Sequence, residues 1–153
     1  MTTNIWLNYI MKDVNNFIGV YSINKIRTPT FFPSYTIVNF SPNDLPGTHF
    51  VAILFVDNRR CIYFDPLNTP FIPLKIKKYM KANSKMIHII RHPVQNPLSG
   101  YCGFYCLLPI MFHINELPLL EGILSFPKAS MKNDKKCISV LMKLFKIYYL
   151  EQN

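Results

Sequence analysis

An α+β domain, with a mostly antiparallel central sheet packed by helices, is what this sequence predicts, and three observations carry the prediction. Two short apolar runs, His49-Phe-Val-Ala-Ile-Leu-Phe-Val56 and Cys61-Ile-Tyr-Phe-Asp65, flank Asp57-Asn-Arg-Arg60, the pattern of a β-hairpin buried on both faces. Near both ends of the chain, apolar residues recur every three to four positions, as on the inner stripe of a helix. The 153 residues are 50% hydrophobic and 16% charged, with no internal repeat and no long linker, so they make one packed domain spanning 1–153.

Taken in order, Thr2 or Thr3 caps a first helix whose apolar positions are Trp6, Tyr9 or Ile10, Met11 or Val14, and Phe17, with Gly19 as its stop. Ser22 to Ser34 contains Pro29 and Pro33 and reads as an irregular connection. Tyr35 to Phe40 is β-branched and aromatic, hence a strand, and Ser41 to Gly47 is a loop by its turn chemistry. The hairpin follows and forms the centre of the sheet. Pro73 to Ala82 has the composition of a short basic helix, Lys85 to Ile90 returns to strand, and Pro93 to Gly100 is a loop. Tyr101 to Asn115 is long and apolar enough for a buried helix, with a kink or early stop expected at Pro109, whose missing N–H and ring disrupt the bond to Tyr105. Asp134 to Leu150 closes the chain as an amphipathic helix with Cys137, Val140, Leu141, Leu144, Ile147 and Tyr148 inside and lysines outside. No apolar run reaches the ~20 residues of a membrane span, and the N-terminus lacks the order of a secretory signal. A monomer off the membrane and outside the secretory pathway is the expectation, with its four cysteines as free thiols.

Seventeen Lys and Arg against eight Asp and Glu give a net charge of +9, unevenly spread. Between Asp65 and Glu116 there is no acidic residue, while Lys75, Lys77, Lys78, Lys81, Lys85 and Arg91 fall in that interval. Folding gathers them into a basic face, for which a polyanion such as DNA is a natural partner and a plain solvated surface the alternative.

Four residues line up for chemistry. His49 opens one hairpin strand and Asp65 ends the other, so a turn at 57–60 sets imidazole and carboxylate across from each other. A His oriented by an acid is half of a nucleophilic triad. Cys102 stands at a loop-to-helix junction, where unsatisfied backbone N–H groups and the positive end of the helix dipole favour thiolate, and a protonated His49 adds to this. Gly100 and Gly103 flank Cys102, and its own N–H with the Gln95 side-chain amide supplies two oxyanion donors. On spacing alone, Cys102 and Cys106 are equally small residues of a buried helix and His49 a satisfied strand-end histidine. A zinc site from Cys102, Cys106, His88 and His92 is a further reading, as is a basic binding module without catalysis.

The runs Gly47-Thr-His49-Phe, Cys61-Ile-Tyr-Phe-Asp65-Pro-Leu and Gln95-Asn-Pro-Leu-Ser-Gly-Tyr-Cys102-Gly-Phe-Tyr-Cys106 resemble the adenovirus-type cysteine endopeptidases, the adenain family. In that family the order is His, an acid followed by Pro, Gln, and Cys seven positions on, and the order His, Asp, Gln, Cys is shared with the wider clan that includes the SUMO-deconjugating proteases. The resemblance implies a papain-like or adenain-like cysteine protease core, with Cys102 as nucleophile, His49 as acid and base, Asp65 as its orienter and Gln95 in the oxyanion hole. It implies cleavage of virion precursor proteins near Gly-Gly or Gly-X-Gly motifs, in the virion and host nucleus, by chemistry that needs no cofactor. Viral DNA and a viral peptide are its implied activators. The sequence departs from the family in carrying Asp65 for Glu and Phe50 for Trp, and in a shorter stretch between the nucleophile helix and the last helix. The cysteine that tethers the activating peptide in the family falls near Ser84, so a disulfide tether is not expected here. Within the clan, a deconjugase for ubiquitin-like proteins is the alternative, and outside it a non-enzymatic basic virion protein that binds nucleic acid.

Overall fold

A computed structural model describes residues 3–41 and 49–152. The elements run α1 (Asn4–Met11), β1 (Phe17–Ser22), β2 (Ser34–Asn39), β3 (Phe50–Phe55), β4 (Arg60–Phe64), α2 (Leu74–Asn83), β5 (Met86–Ile90), α3 (Cys102–Ile114), α4 (Leu119–Leu124) and α5 (Asn133–Glu151). Five strands form one sheet in sequence order. The three central strands are antiparallel, as expected, whereas both outer strands, β1 on β2 and β5 on β4, join in parallel. The loop expected from Ser41 to Gly47 lies, beyond Ser41, outside the described residues.

The alternation of strand side chains explains why the hairpin is apolar throughout. From β3, Phe50, Ala52 and Leu54 point into the core shared with α1, α3, α4 and α5. Val51, Ile53 and Phe55 point the other way, onto Ile76 and Met80 of α2. A sheet covered on both faces has no polar side to offer, so period-two patterning is lost from the sequence while the register is kept by the ladder.

Thr3 is the observed N-cap of α1, its Oγ1 accepting from the Trp6 N–H at 3.2 Å. The helix ends at Met11, earlier than its apolar spacing predicts. Asn16, in left-handed backbone at φ 69, turns the chain into β1, and Tyr148 of α5 accepts the Asn15 N–H at 2.9 Å. Gly19 is not a helix stop but sits in β1, where the register slips between Phe17 and Gly19 at φ +133. A Cβ there would come within 2.8 Å of the Tyr21 hydroxyl, so the irregularity selects glycine.

α3 runs past Pro109 to Ile114 without the early stop its proline suggested. Residues Tyr105 through Met111 are all buried, and packing against β3 and α5 holds the helix where one backbone hydrogen bond is missing. The short α4 was not anticipated. No helix among the described residues is long and apolar enough to cross a membrane.

Candidate active site

The four residues proposed from sequence come from one end of the sheet. His49 immediately precedes β3, and Asp65 immediately follows β4, which runs antiparallel to it. Gln95 lies beyond the end of β5, parallel to β4, and Cys102 opens α3. The hairpin register pairs Ala52 with Phe64, so its continuation sets Val51, rather than His49, against Asp65. Imidazole and carboxylate meet diagonally instead of directly across, a reach that long side chains on one face allow.

The contact they make is short. His49 Nε2 donates to Asp65 Oδ1 at 2.6 Å, with both residues buried. Asp65 is held on every side: its Oδ1 also accepts the Leu67 N–H at 2.9 Å, and its Oδ2 accepts the Thr69 N–H at 3.0 Å and the Thr69 hydroxyl. Burial works to raise the Asp65 pKa, but the His49 bond and charge, with Thr69 and Leu67, outweigh it and hold the carboxyl below its ordinary range. For His49, burial favours the neutral ring, yet the bonds to Asp65 and Cys102 and their charges win, raising its pKa to about 9. Because Nε2 is committed to Asp65, the ring nitrogen left for the Cys102 thiol is Nδ1. The Phe40 ring meets the imidazole edge-on at a 5.1 Å centroid distance, fixing its plane.

All four cysteines are free, and of these only Cys102 is not buried. Burial pushes the Cys61 thiol up to about 12 and raises Cys106 and Cys137 as well, so those three are inert core residues. As the first residue of α3, Cys102 has a backbone N–H with no partner inside the helix. A Cβ placed on Gly100 meets no atom within 4 Å, so the space at that position is open.

Gln95 is positioned from two directions. The Pro66 carbonyl, next to Asp65, accepts the N–H of both Val94 (2.9 Å) and Gln95 (3.0 Å), so the turn that places the acid also places the amide. The Gln95 side chain is buried, its Nε2 donates to the Ser99 carbonyl at 2.9 Å, and its Oε1 finds no partner among the described residues. One Nε2 hydrogen is thus committed, and the other has no partner among the described residues.

The remaining sequence candidates lie elsewhere. Lys75, Lys77, Lys78 and Lys81 are exposed on the outer side of α2, whose inner residues Ile76 and Met80 pack on the sheet, and Lys85 and Arg91 are exposed at the ends of β5. The zinc reading is not supported by placement. His92 is buried with Nε2 at 2.7 Å from the Phe126 carbonyl, His88 is exposed on β5, and no group of three or more metal-binding side chains converges among the described residues. Sequence reasoning missed Thr69, Ser99 and Asp134. Only Thr69 had a local signal, an Asp-Pro turn with a hydroxyl four residues after the acid.

Neither a scan against protein-family models nor a search of curated proteins finds a match. Among solved structures, the chain is similar to the ASFV pS273R protease, at TM-score 0.53 and 12% identity over 76% of this chain and 57% of that one. It is also similar to ChlaDub1 from Chlamydia trachomatis, at TM-score 0.51 and 13% identity over 75% of this chain and 60% of that one. The chain therefore spans less than two thirds of the length of either. At such identities the likeness is one of fold.

Proposed function

We propose that this chain is a cysteine endopeptidase of the adenain type that cleaves virion precursor proteins near glycine-containing motifs. One observation carries the reading: a buried imidazole held between the Asp65 carboxylate and the single cysteine that is not buried. The Cys102 sulfur attacks the scissile carbonyl carbon, and the developing oxyanion receives the Cys102 N–H and the second Nε2 hydrogen of Gln95. His49, protonated up to about 9, gives its Nδ1 proton to the leaving amine as the C–N bond breaks. A water then adds to the thioester, His49 takes its proton, and the carboxylic acid leaves as the Cys102 thiolate is restored beside the imidazolium. Asp65 keeps the imidazolium oriented throughout, its three other hydrogen bonds preventing the carboxylate from turning.

The lysine face of α2 supports DNA as a guide along which a monomeric enzyme meets packaged substrate in the virion or host nucleus. The experiment is cleavage of a Gly-Gly peptide, compared with a folded ubiquitin-like conjugate, with and without DNA. Peptide cleavage that is lost in Cys102→Ala and stimulated by DNA at low salt, with the stimulation fading as salt rises, is the expected result. Cleavage confined to the conjugate makes the chain a deconjugase, and no cleavage of either leaves a basic binding protein.

A further inference from the structure

Among the described residues the Gln95 side chain hangs from one hydrogen bond, Nε2 to the Ser99 carbonyl, and whatever holds Ser99 therefore holds the amide. Ser99 is held by the last helix. Its hydroxyl donates to the Asp134 carboxylate, 2.9 Å from Oδ1 and 3.0 Å from Oδ2, and accepts the Tyr101 N–H at 3.1 Å, one residue before Cys102. Asp134 also accepts the Tyr105 hydroxyl at 2.6 Å, which ties the first turn of α3 to the first turn of α5. The adjacent Asn133, fully buried, donates Nδ2 to the Val94 carbonyl at 2.8 Å, immediately before Gln95. Two consecutive residues of α5 thus grip the 94–101 loop at both ends.

We infer that Asp134 is a positioning residue for the oxyanion hole, acting on Gln95 through Ser99, an inference that rests on the proteolytic reading above. The physical case is the economy of the arrangement. A buried amide with an unpaired Oε1 has little to stop it rotating toward a better partner, and the Ser99 carbonyl is its sole anchor among the described residues. An oxyanion donor acts only if it is in place before charge develops, so mobility of Ser99 removes transition-state stabilisation while leaving substrate contacts alone. The same clamp does not touch the His49 and Asp65 pair, whose bonds come from the hairpin and Thr69.

The test compares wild type with Ser99→Ala, Asp134→Ala, Asp134→Asn and Gln95→Ala, using a fluorogenic Gly-Gly peptide amide and iodoacetamide as probes. Ser99→Ala and Asp134→Ala are expected to lower kcat by about tenfold to a hundredfold, less than full loss of a donor, with KM within about twofold. Asp134→Asn, which keeps an acceptor for Ser99, restores kcat to within about threefold of wild type. The double variant Ser99→Ala with Gln95→Ala is no slower than Gln95→Ala alone. Alkylation of Cys102, which forms no oxyanion, proceeds at the wild-type rate in all of them. Multiplicative losses in the double variant, or a parallel fall in alkylation, overturn the inference. A wild-type chain that cleaves no Gly-Gly probe overturns the proteolytic reading instead. Hydrogen exchange of the Gln95 side-chain amide by NMR then decides the positioning: protection lost in Ser99→Ala upholds it, and unchanged protection overturns it.

Discussion

His49→Ala is expected to lower kcat/KM for peptide cleavage by about a thousandfold to ten-thousandfold, with the fold retained. On the proposed mechanism the alanine removes the group that carries a proton to the leaving amine and, with it, the cation beside the Cys102 sulfur. It leaves the Asp65 carboxylate buried, but three of the four hydrogen bonds on that carboxylate come from Leu67 and Thr69 and persist. The structural cost is therefore about 1–3 kcal/mol, a loss of stability rather than of structure, which thermal unfolding checks. Cys102→Ala loses cleavage altogether, and the double variant loses no more than Cys102→Ala alone, because the two side chains act as one unit. Steady-state kinetics on the three variants read this directly; multiplicative effects place the two residues in separate roles.

The second large effect is in pH dependence. His49 rises from 6.5 to about 9 on folding, so its contribution to stability is complete below 6.5 and is lost as pH climbs to about 9. Asp65 is depressed below its ordinary 3.8, so its contribution is present above that value and lost as pH falls through its folded pKa. The two shifts share the His49–Asp65 interaction, which is counted once; Cys102 adds to the His49 rise, and Thr69 and Leu67 to the Asp65 depression. Stability from the pair is thus greatest between about 4 and 6.5, and denaturant titrations across that range measure it. On the proposed mechanism, activity follows the imidazolium. The alkaline limb of the kcat profile is expected near 9, where the proton for the leaving amine is lost. Asp65→Asn removes the carboxylate that, with Cys102, raises the His49 pKa, so the limb moves toward 6.5 and neutral activity falls by about a hundredfold or more. An alkaline limb that stays where it is in Asp65→Asn removes Asp65 from the role of orienting acid.

How much of this was legible in the sequence depends on whether the information is local. The hairpin was legible because its two apolar runs and charged turn are contiguous, and α5 because its stripe repeats over Asn133–Glu151. The strand β1 was not, since Phe17 continues the helical spacing of α1 and Gly19 reads as a stop when it is in fact an irregularity within a strand. Parallel pairing at both sheet edges was invisible for a different reason, because side-chain patterns record burial and not strand direction. Of the proposed site, His49, Asp65, Gln95 and Cys102 were legible, the structure sets them at one end of the sheet, and their order is what resembles a family. Their support was not. Asp134 reaches Ser99 across 35 positions, and its place in the first turn of a helix reads as ordinary complementation of the helix dipole. The commitment of Nε2 to Asp65, which assigns Nδ1 to the thiol, likewise follows from backbone placement at the end of the sheet.

The most direct test of the account is intact-mass labelling with iodoacetamide near neutral pH, on the wild-type chain, Cys102→Ala and His49→Ala. One rapidly labelled thiol is expected, absent in Cys102→Ala and slowed in His49→Ala, because three of the four cysteines are buried and only Cys102 adjoins an imidazolium. Four cysteines that react slowly and equally, with no dependence on His49 even when DNA is present, would contradict it.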